Sequence, residues 1–197
     1  MFRLPKQMFV SAPAGSYPAV LQRAIDLGTQ DDEKYGPKPK IALIWEIDEP
    51  MADGRPYTVS KWYSFSMNEK STFRIHLEAW RGKAFTPEDA TTFNLEDLIG
   101  KCCLITLARS KDGTKSIVSN VTALPRNVRG PKLQGIPLSL SLNPEDFDEA
   151  AFSKLSDSMK KIIKQSPEYK TLMQEDDQED DDLDMEPSDG EPKDIPF

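Results

Sequence analysis

The sequence predicts a mainly β domain that is followed by a helical segment and an acidic tail. Five runs rich in apolar residues lie between residues 17 and 124, and most of them alternate with polar residues as half-buried strands do. A stretch with helical spacing, residues 69–81, separates the third run from the fourth. Beyond residue 171 nearly every charged residue is acidic, and such a stretch cannot bury enough apolar surface to fold.

The five predicted strands are separated by glycine, proline and other turn residues. Residues 111–114 read Lys-Asp-Gly-Thr, which favours a hairpin between the fourth strand and the fifth. The strands span residues 17–27, 40–47, 57–67, 101–110 and 115–124.

The helix over residues 69–81 is predicted to begin after the capping residue Asn68 and to end at Gly82. A stripe of residues at i, i+4 and i+7 faces the core, which favours packing over ligand binding. The stripe consists of Phe73, Leu77 and Trp80, with His76 alongside.

Shorter helices are expected later in the chain. Thr86 and Asn94 each begin one, because acidic residues follow both of them. Residues 143–164 predict one amphipathic helix, which begins after Asn143 and has an apolar stripe along one side.

The third strand has one face typical of a core and one polar face. Lys61 interrupts the first face, which otherwise carries tyrosine, valine, phenylalanine and methionine. Trp62 lies between Ser60 and Ser64 on the second face. An isolated ring of this kind is what a stacking platform for an unpaired base requires. The alternative is a tryptophan that is covered by a loop or by a second copy of the chain.

Charge is distributed unevenly along the 197 residues. The whole chain has 25 basic and 33 acidic residues and a net charge of −8. Residues 1–142 carry 19 Lys and Arg against 15 Asp and Glu (net +4), and residues 143–197 carry 6 against 18 (net −12). This asymmetry is expected of a body that binds a polyanion and a tail that competes with it.

The remaining composition indicates a soluble protein of the reducing cytoplasm. Cys102 and Cys103 are adjacent in an apolar run, which favours buried free thiols over a disulfide. No signal peptide and no membrane-spanning stretch is evident, so no membrane partner is expected.

The sequence offers no set of residues suited to catalysis. It has no glycine-rich phosphate loop and no Cys/His metal pattern, and His76 is its one histidine. Clustered carboxylates can hold Mg²⁺, but here they lie in the tail, without a rigid frame. We therefore expect no enzyme, no metal and no cofactor. The serious alternative to a DNA-binding protein is an acidic adaptor or DNA mimic that occupies basic clefts in other proteins.

The tail ends in an apolar tip, Asp194-Ile195-Pro196-Phe197. Pro196 favours extended conformations, and Phe197 brings an aromatic ring and a terminal carboxylate together for a pocket rimmed with Lys or Arg. This tip closely resembles that of bacterial and phage single-stranded DNA-binding proteins. The resemblance implies that the tip recruits replication and repair enzymes, while a folded domain holds the strand.

The body carries a second resemblance. Residues 59–63 (Val-Ser-Lys-Trp-Tyr), 69–71 (Glu-Lys-Ser) and 77–82 (Leu-Glu-Ala-Trp-Arg-Gly) are similar to a family of phage proteins encoded among replication and recombination functions. Members of that family are regarded as OB-fold proteins that bind single-stranded DNA, and the likeness spans roughly residues 14–125. The predicted order of three strands, a helix and two strands is also that of the five-stranded Greek-key OB-fold barrel.

Together these observations predict a protein that coats single-stranded DNA in replication, recombination and repair. The expected divisions are an arm (1–14), the OB-fold domain (15–142), an amphipathic helical segment (143–171) and the acidic tail (172–197). A homo-oligomer is possible on this sequence.

Stacking is assigned first to Trp62 and Tyr63 and then to Trp45, and a place in the core is the alternative for the last two. Basic side chains are assigned to the phosphates, with ordinary solvation as the alternative for each. These are Lys61, Arg74, Arg109, Lys115 and Arg126.

Overall fold

The computed structural model describes residues 11–32 and 36–174, which form a mainly β fold with short helices. The mainly β class is therefore confirmed. The predicted tip (residues 194–197) and nearly all of the predicted tail lie outside the described residues. The strands are β1 (Gly15–Gln30), β2 (Lys38–Pro50), β3 (Pro56–Ser64), β4 (Cys102–Arg109), β5 (Ser116–Thr122) and β6 (Leu138–Leu140).

The strands form one open sheet in the order β3-β2-β1-β4-β5, and all neighbours in this order are antiparallel. The short strand β6, which the sequence did not predict, pairs parallel to β1. β2 follows one edge of β1, whereas β4 and β6 share the other edge. Register shifts between Leu21 and Arg23 and between Asp26 and Gly28 interrupt the β1–β2 ladder, and such bulges bend a strand and increase its twist.

No hydrogen-bonded ladder joins the outer strands β3 and β5 among the described residues, so the sheet is not closed into the predicted barrel. The two edges nevertheless approach each other. The Lys61 Nζ atom on β3 donates a hydrogen bond of 2.7 Å to the carbonyl oxygen of Val118 on β5. The position of this side chain means that β3 and the first half of β5 are neighbours in space.

The sheet buries a separate apolar cluster on each face. On β1, Ala24 belongs to one cluster and Ile25 to the other, and on β2 the same is true of Leu43 and Ala42. Because consecutive residues of a strand point to opposite faces, the two clusters lie on opposite sides of the sheet. We call them the inner cluster, which includes helix α1, and the outer cluster, which includes the helices near the end of the described chain.

Helix α1 (Thr72–Arg81) closes the inner cluster. Ser71, not the predicted Asn68, is its N-cap, because the Ser71 side chain accepts a hydrogen bond from the Arg74 backbone N–H. Gly82 ends the helix in the left-handed conformation as expected. The predicted packing stripe is confirmed, since Phe73, His76, Leu77 and Trp80 are buried.

Two short helical turns follow α1. Helix α2 (Pro87–Thr92) begins with a reciprocal capping box between Thr86 and Asp89. A 3₁₀ turn (Leu95–Leu98) begins after Asn94, whose side chain accepts a hydrogen bond from Glu96 N–H. Both predicted helix starts are therefore confirmed.

The prediction of one helix over residues 143–164 is wrong. This stretch contains a 3₁₀ turn (Pro144–Asp146), α3 (Glu149–Ser153) and α4 (Asp157–Ile163), and a further helix, α5, covers residues 167–174. The side chains of Asp148 and Ser156 accept hydrogen bonds from backbone N–H groups three residues on, so each caps a new helix where the predicted helix would have continued.

The folded part extends further than predicted at both ends. Leu172, assigned to the tail, is 7% exposed in the outer cluster. Ala12, assigned to the arm, is 3% exposed in the inner cluster, and its carbonyl accepts a hydrogen bond of 2.5 Å from Ser116 Oγ. Burying a large aliphatic side chain contributes about 1.5–3 kcal/mol, which is reason enough for the helix to include Leu172.

Residues 143–174 form a layer on the outer face of the sheet, and polar contacts fasten it to the end of β1. Thr29 donates through its N–H and hydroxyl to the two carboxylate oxygens of Glu168, at 2.8 and 2.5 Å. Gly28 has a φ of +66°, and a Cβ there would lie 2.5 Å from Ser166. This close approach requires glycine. The outer cluster consists of Ile25, Leu27, Ala42, Leu138, Leu140, Leu142, Ala151, Phe152, Leu155, Ile163 and Leu172.

Candidate nucleic-acid interface

A polar strip with one tryptophan runs along β3 on the outer face of the sheet. The β2–β3 register sets Trp62 opposite Ala42 and Ser60 opposite Ile44. Directly opposed residues of an antiparallel pair share a face, so Trp62 lies on the face that carries the outer cluster. The outer cluster covers β6, β1 and Ala42 of β2 but includes no residue of β3. Trp62 therefore borders this layer and stays 47% exposed.

Trp45 and Tyr63 lie inside the molecule instead. Trp45 is 0% exposed, and its ring centroid is 6.4 Å from that of Trp80. Tyr63 is 4% exposed, and its Oη lies 2.9 Å from Nδ1 of His76. Burial raises the pKa of Tyr63. Neither ring is available to stack on a base in this structure, because both belong to the inner face of their strands.

Lys61 has a structural position between two strands. Besides its hydrogen bond to Val118, its Nζ lies 5.5 Å from the centroid of the Tyr63 ring. Burial lowers the pKa of Lys61, as expected for an ammonium group that is partly withdrawn from water. The sequence reading of Lys61 as a phosphate ligand does not fit these contacts, which join β3 to β5.

Arg74 is likewise engaged within the fold. Its Nε donates to Glu78 Oε1 at 2.8 Å, and its two terminal nitrogens donate to the carbonyl oxygens of Met67 and Phe85 at 3.0 Å each. The guanidinium group thus holds α1 to the chain segments before and after it. A phosphate would have to displace these bonds, so the assignment of Arg74 to DNA is not supported by its geometry.

Arg109, Lys115 and Arg126 are exposed, as a phosphate contact requires. Arg109 and Ser116 are opposite each other at the turn end of the β4–β5 hairpin, next to Lys115. The hydrogen bond from Lys61 to Val118 sets this end of β5 beside β3. The tertiary structure therefore brings the hairpin bases toward the strand that carries Trp62, although the two are more than 40 residues apart in sequence.

The basic side chains of the hairpin belong to a dense basic region, of which the sequence analysis assigned only three residues to the phosphates. Residues 101–132 contain seven Lys and Arg and one acidic residue, Asp112. Hydrogen bonds from Ser110 and Thr114 lower the pKa of Asp112 to about 2. The carboxylate of Asp112 is therefore engaged by residues of its own hairpin turn. This local excess of basic residues is the sequence signal that could have identified the remaining four as candidate phosphate ligands. The seven are Lys101, Arg109, Lys111, Lys115, Arg126, Arg129 and Lys132.

Glu46 anchors the irregular segment that carries part of this basic region. The Glu46 side chain is buried and accepts hydrogen bonds from Gln22 Nε2 at 2.9 Å, Gln134 N–H at 2.8 Å and Gly135 N–H at 2.6 Å. A Cβ on Gly135 would collide with the Gln22 side chain, so the backbone can approach the sheet this closely only at glycine. Glu46 thereby fixes the course of the chain just after Lys132.

Metal ions and membranes are two other classes of partner that a site could serve. Within residues 11–32 and 36–174, no three His, Cys, Asp or Glu side chains converge to hold a metal ion. None of the helices in this part of the chain is long and apolar enough to cross a membrane. The chain matches no protein-family profile and no curated protein sequence.

His76 gives the fold a measurable pH dependence. Burial, reinforced by the nearby Lys61 charge, lowers the pKa of His76 from 6.5 to about 4. As the pH falls, the imidazole of His76 is protonated in the unfolded chain before it is protonated in the folded protein. The stability that comes from holding His76 neutral is therefore fully present above about pH 6.5 and is lost as the pH falls toward 4. The free energy of unfolding in urea should fall by about 1.4 kcal/mol per pH unit in this window, and by about 3 kcal/mol in total.

His76→Gln is the control for this dependence. All other titrating groups are common to the two proteins, so the variant should show a flatter stability profile between about pH 7 and pH 4. Parallel profiles for the variant and the original chain would show that His76 is not held neutral in the core.

Proposed function

We propose that this chain is a non-catalytic protein that binds single-stranded DNA. The observation that carries the proposal is Trp62, an exposed ring on a polar strip of β3, the strand that the basic β4–β5 hairpin approaches at the Lys61–Val118 hydrogen bond. Stacking of a base on such a ring contributes about 1–3 kcal/mol and tolerates any sequence. Exposed basic side chains of the hairpin and of the segment after it, Arg109, Lys115 and Arg126, supply the phosphate contacts.

The fold proposed for this function is the OB-fold. The strand order and the position of α1 between β3 and β4 support it, as does the approach of β3 to β5 at the Lys61–Val118 bond. In this proposal the barrel has its seam between those two strands. The strand of DNA crosses the outer face at β3 and continues over the hairpin.

The acidic segment is proposed to act on proteins. Residues 175–197 contain twelve acidic residues and one base, Lys193, and end in Asp-Ile-Pro-Phe. The resemblance of residues 194–197 to the tips of single-stranded DNA-binding proteins supports recruitment of replication, recombination and repair enzymes. We place this activity in phage DNA metabolism, in the cytoplasm of a bacterial host.

The second candidate is an adaptor or DNA mimic that binds no DNA. The net charge of residues 175–197, twelve acids against one base, favours it, because an acidic chain can occupy basic clefts of replication and repair enzymes. The basic region of residues 101–132 has no role in this second function.

A tryptophan fluorescence titration with an oligo-dT strand distinguishes the two functions. Trp62 is 47% exposed, whereas Trp45 and Trp80 are at most 8% exposed, so a bound base should quench mainly Trp62. We expect quenching that saturates and that weakens as salt rises, because binding releases counterions from the phosphates. The titration is made on the full chain and on a chain that ends at Gln174, which keeps the buried Leu172.

The shortened chain should bind at least as tightly as the full chain at low salt, since it lacks a segment that competes with DNA for the basic surface. Failure of both proteins to bind the oligonucleotide at low salt would overturn the proposal. Together with capture of basic replication enzymes by the full chain alone, that result would establish the adaptor.

A further inference from the structure

A second surface with different chemistry lies at the far end of β1. A groove of about 490 Å³ opens between the sheet, the 3₁₀ turn after Asn94 and the segment that follows β6. Its apolar side chains include Phe65, Phe93 and Leu95, and its charged ones are Asp26, Glu96 and Asp146. Phe65 is 43% exposed and its ring rests edge-on against Phe73 with centroids 5.5 Å apart, so the apolar floor is held in place.

The charges exclude some occupants and favour others. All three charged residues that line the groove are acids. A DNA strand would bring phosphates against these carboxylates, and the acidic residues 175–197 would meet the same repulsion. A segment that combines apolar side chains with positive charge complements both features of the groove.

Residues 1–10 of the chain have this composition. They read Met-Phe-Arg-Leu-Pro-Lys-Gln-Met-Phe-Val, with two bases, no acid and six large apolar residues. The segment lies outside the described residues and joins them at Ser11, which is held at the start of β5 by a hydrogen bond of 2.8 Å from Ser116 N–H.

The length of residues 1–10 favours binding to the groove of another molecule over binding to the groove of the same molecule. Ala24 and Asp26, which line the groove, lie nine and eleven residues beyond Gly15 on β1. At about 3.3 Å per residue this is about 30–36 Å along the strand, and ten extended residues span about the same length. A segment that starts at Ser11 would use its whole length to follow its own β1 to the groove. This distance does not limit binding of the segment to the groove of a second copy of the chain.

We propose that residues 1–10 of one copy dock in the acidic, apolar groove of a second copy, with Arg3 and Lys6 directed to the carboxylates. The contact links molecules of this chain to one another without DNA. It is independent of the proposed strand-binding function and uses a different surface.

Sedimentation velocity of the full chain without DNA tests this. We expect the average mass to rise with protein concentration at low salt and the association to weaken as salt is added. Glu96→Lys should weaken association about tenfold or more, because it reverses an exposed charge in the groove. Asp97→Lys is the matched control: it changes the net charge equally on the same turn, does not line the groove, and should associate normally.

Mixing identifies the occupant. The double variant Arg3→Glu, Lys6→Glu should also associate weakly by itself. An equimolar mixture of this variant with Glu96→Lys should associate again, since each intact segment then meets an intact groove on the other protein. Monomers at every concentration, equal effects of Glu96→Lys and Asp97→Lys, or failure of the mixture to associate would each overturn the proposal.

Discussion

Trp62→Ala should lower the affinity for oligo-dT by about 5- to 150-fold, the equivalent of about 1–3 kcal/mol of lost stacking. The affinity is best measured by the anisotropy of a labelled oligonucleotide, which does not depend on protein fluorescence. Because Trp62 is 47% exposed and outside both buried clusters, the free energy of unfolding should change by about 0.5 kcal/mol or less.

Trp62→Phe is the matched variant, since it keeps an aromatic face. It should retain most of the affinity by anisotropy but lose the DNA-dependent quenching, because the remaining tryptophans are buried. Full affinity in Trp62→Ala would remove the observation on which the proposed function depends. Quenching that persists in Trp62→Phe would assign the signal to Trp45 or Trp80.

Trp45→Ala should have the opposite effect, a loss of about 3–5 kcal/mol in the free energy of unfolding by urea. The ring is 0% exposed and packs beside Trp80, so its removal leaves a cavity in the inner cluster. DNA affinity, measured where the variant is still folded, should stay within about twofold of the original, since no ring face is lost from the surface.

Trp45→Phe separates packing from hydrogen bonding at the same position. The buried Nε1 of Trp45 finds no hydrogen-bond acceptor among the described residues. Replacing the ring by phenylalanine removes this unsatisfied donor along with some volume, so the cost should be clearly smaller than for alanine. A large loss of DNA affinity in the stable Trp45→Phe protein would restore Trp45 as a stacking residue.

The two tryptophans show how far sequence patterns reach. Trp62 has serine two residues away on each side, so its place on a polar face follows from the alternation of a strand. The second strand is apolar on both faces, so alternation cannot assign Trp45 to the surface or to the core. Only the packing of α1, which brings Trp80 against it, decides that Trp45 is buried.

The basic residues predicted to bind phosphates fall into an exposed group and a group that is hydrogen-bonded within the fold, and the sequence does not distinguish the two for a similar reason. Arg109, Lys115 and Arg126 are exposed as expected. Arg74 instead donates hydrogen bonds to backbone carbonyls on either side of its helix, and Lys61 donates one to a carbonyl of a distant strand. A lysine on a strand reads the same in sequence whether its ammonium group meets water or a carbonyl of another strand. The partner of Lys61 is 57 residues away, which no local pattern encodes.

The sequence by itself determined the mainly β class, five of the six strands with α1 between the third and the fourth, and the helix signals at Gly82, Thr86 and Asn94. These features depend on alternation, turn residues and caps, which act within a few residues. Only the tertiary structure decided that β6 joins β1 and that residues 143–174 cover the outer face as several short helices. Those features depend on contacts such as Ile25 with the cluster that includes Leu172, where burial of apolar area across the chain outweighs local propensity.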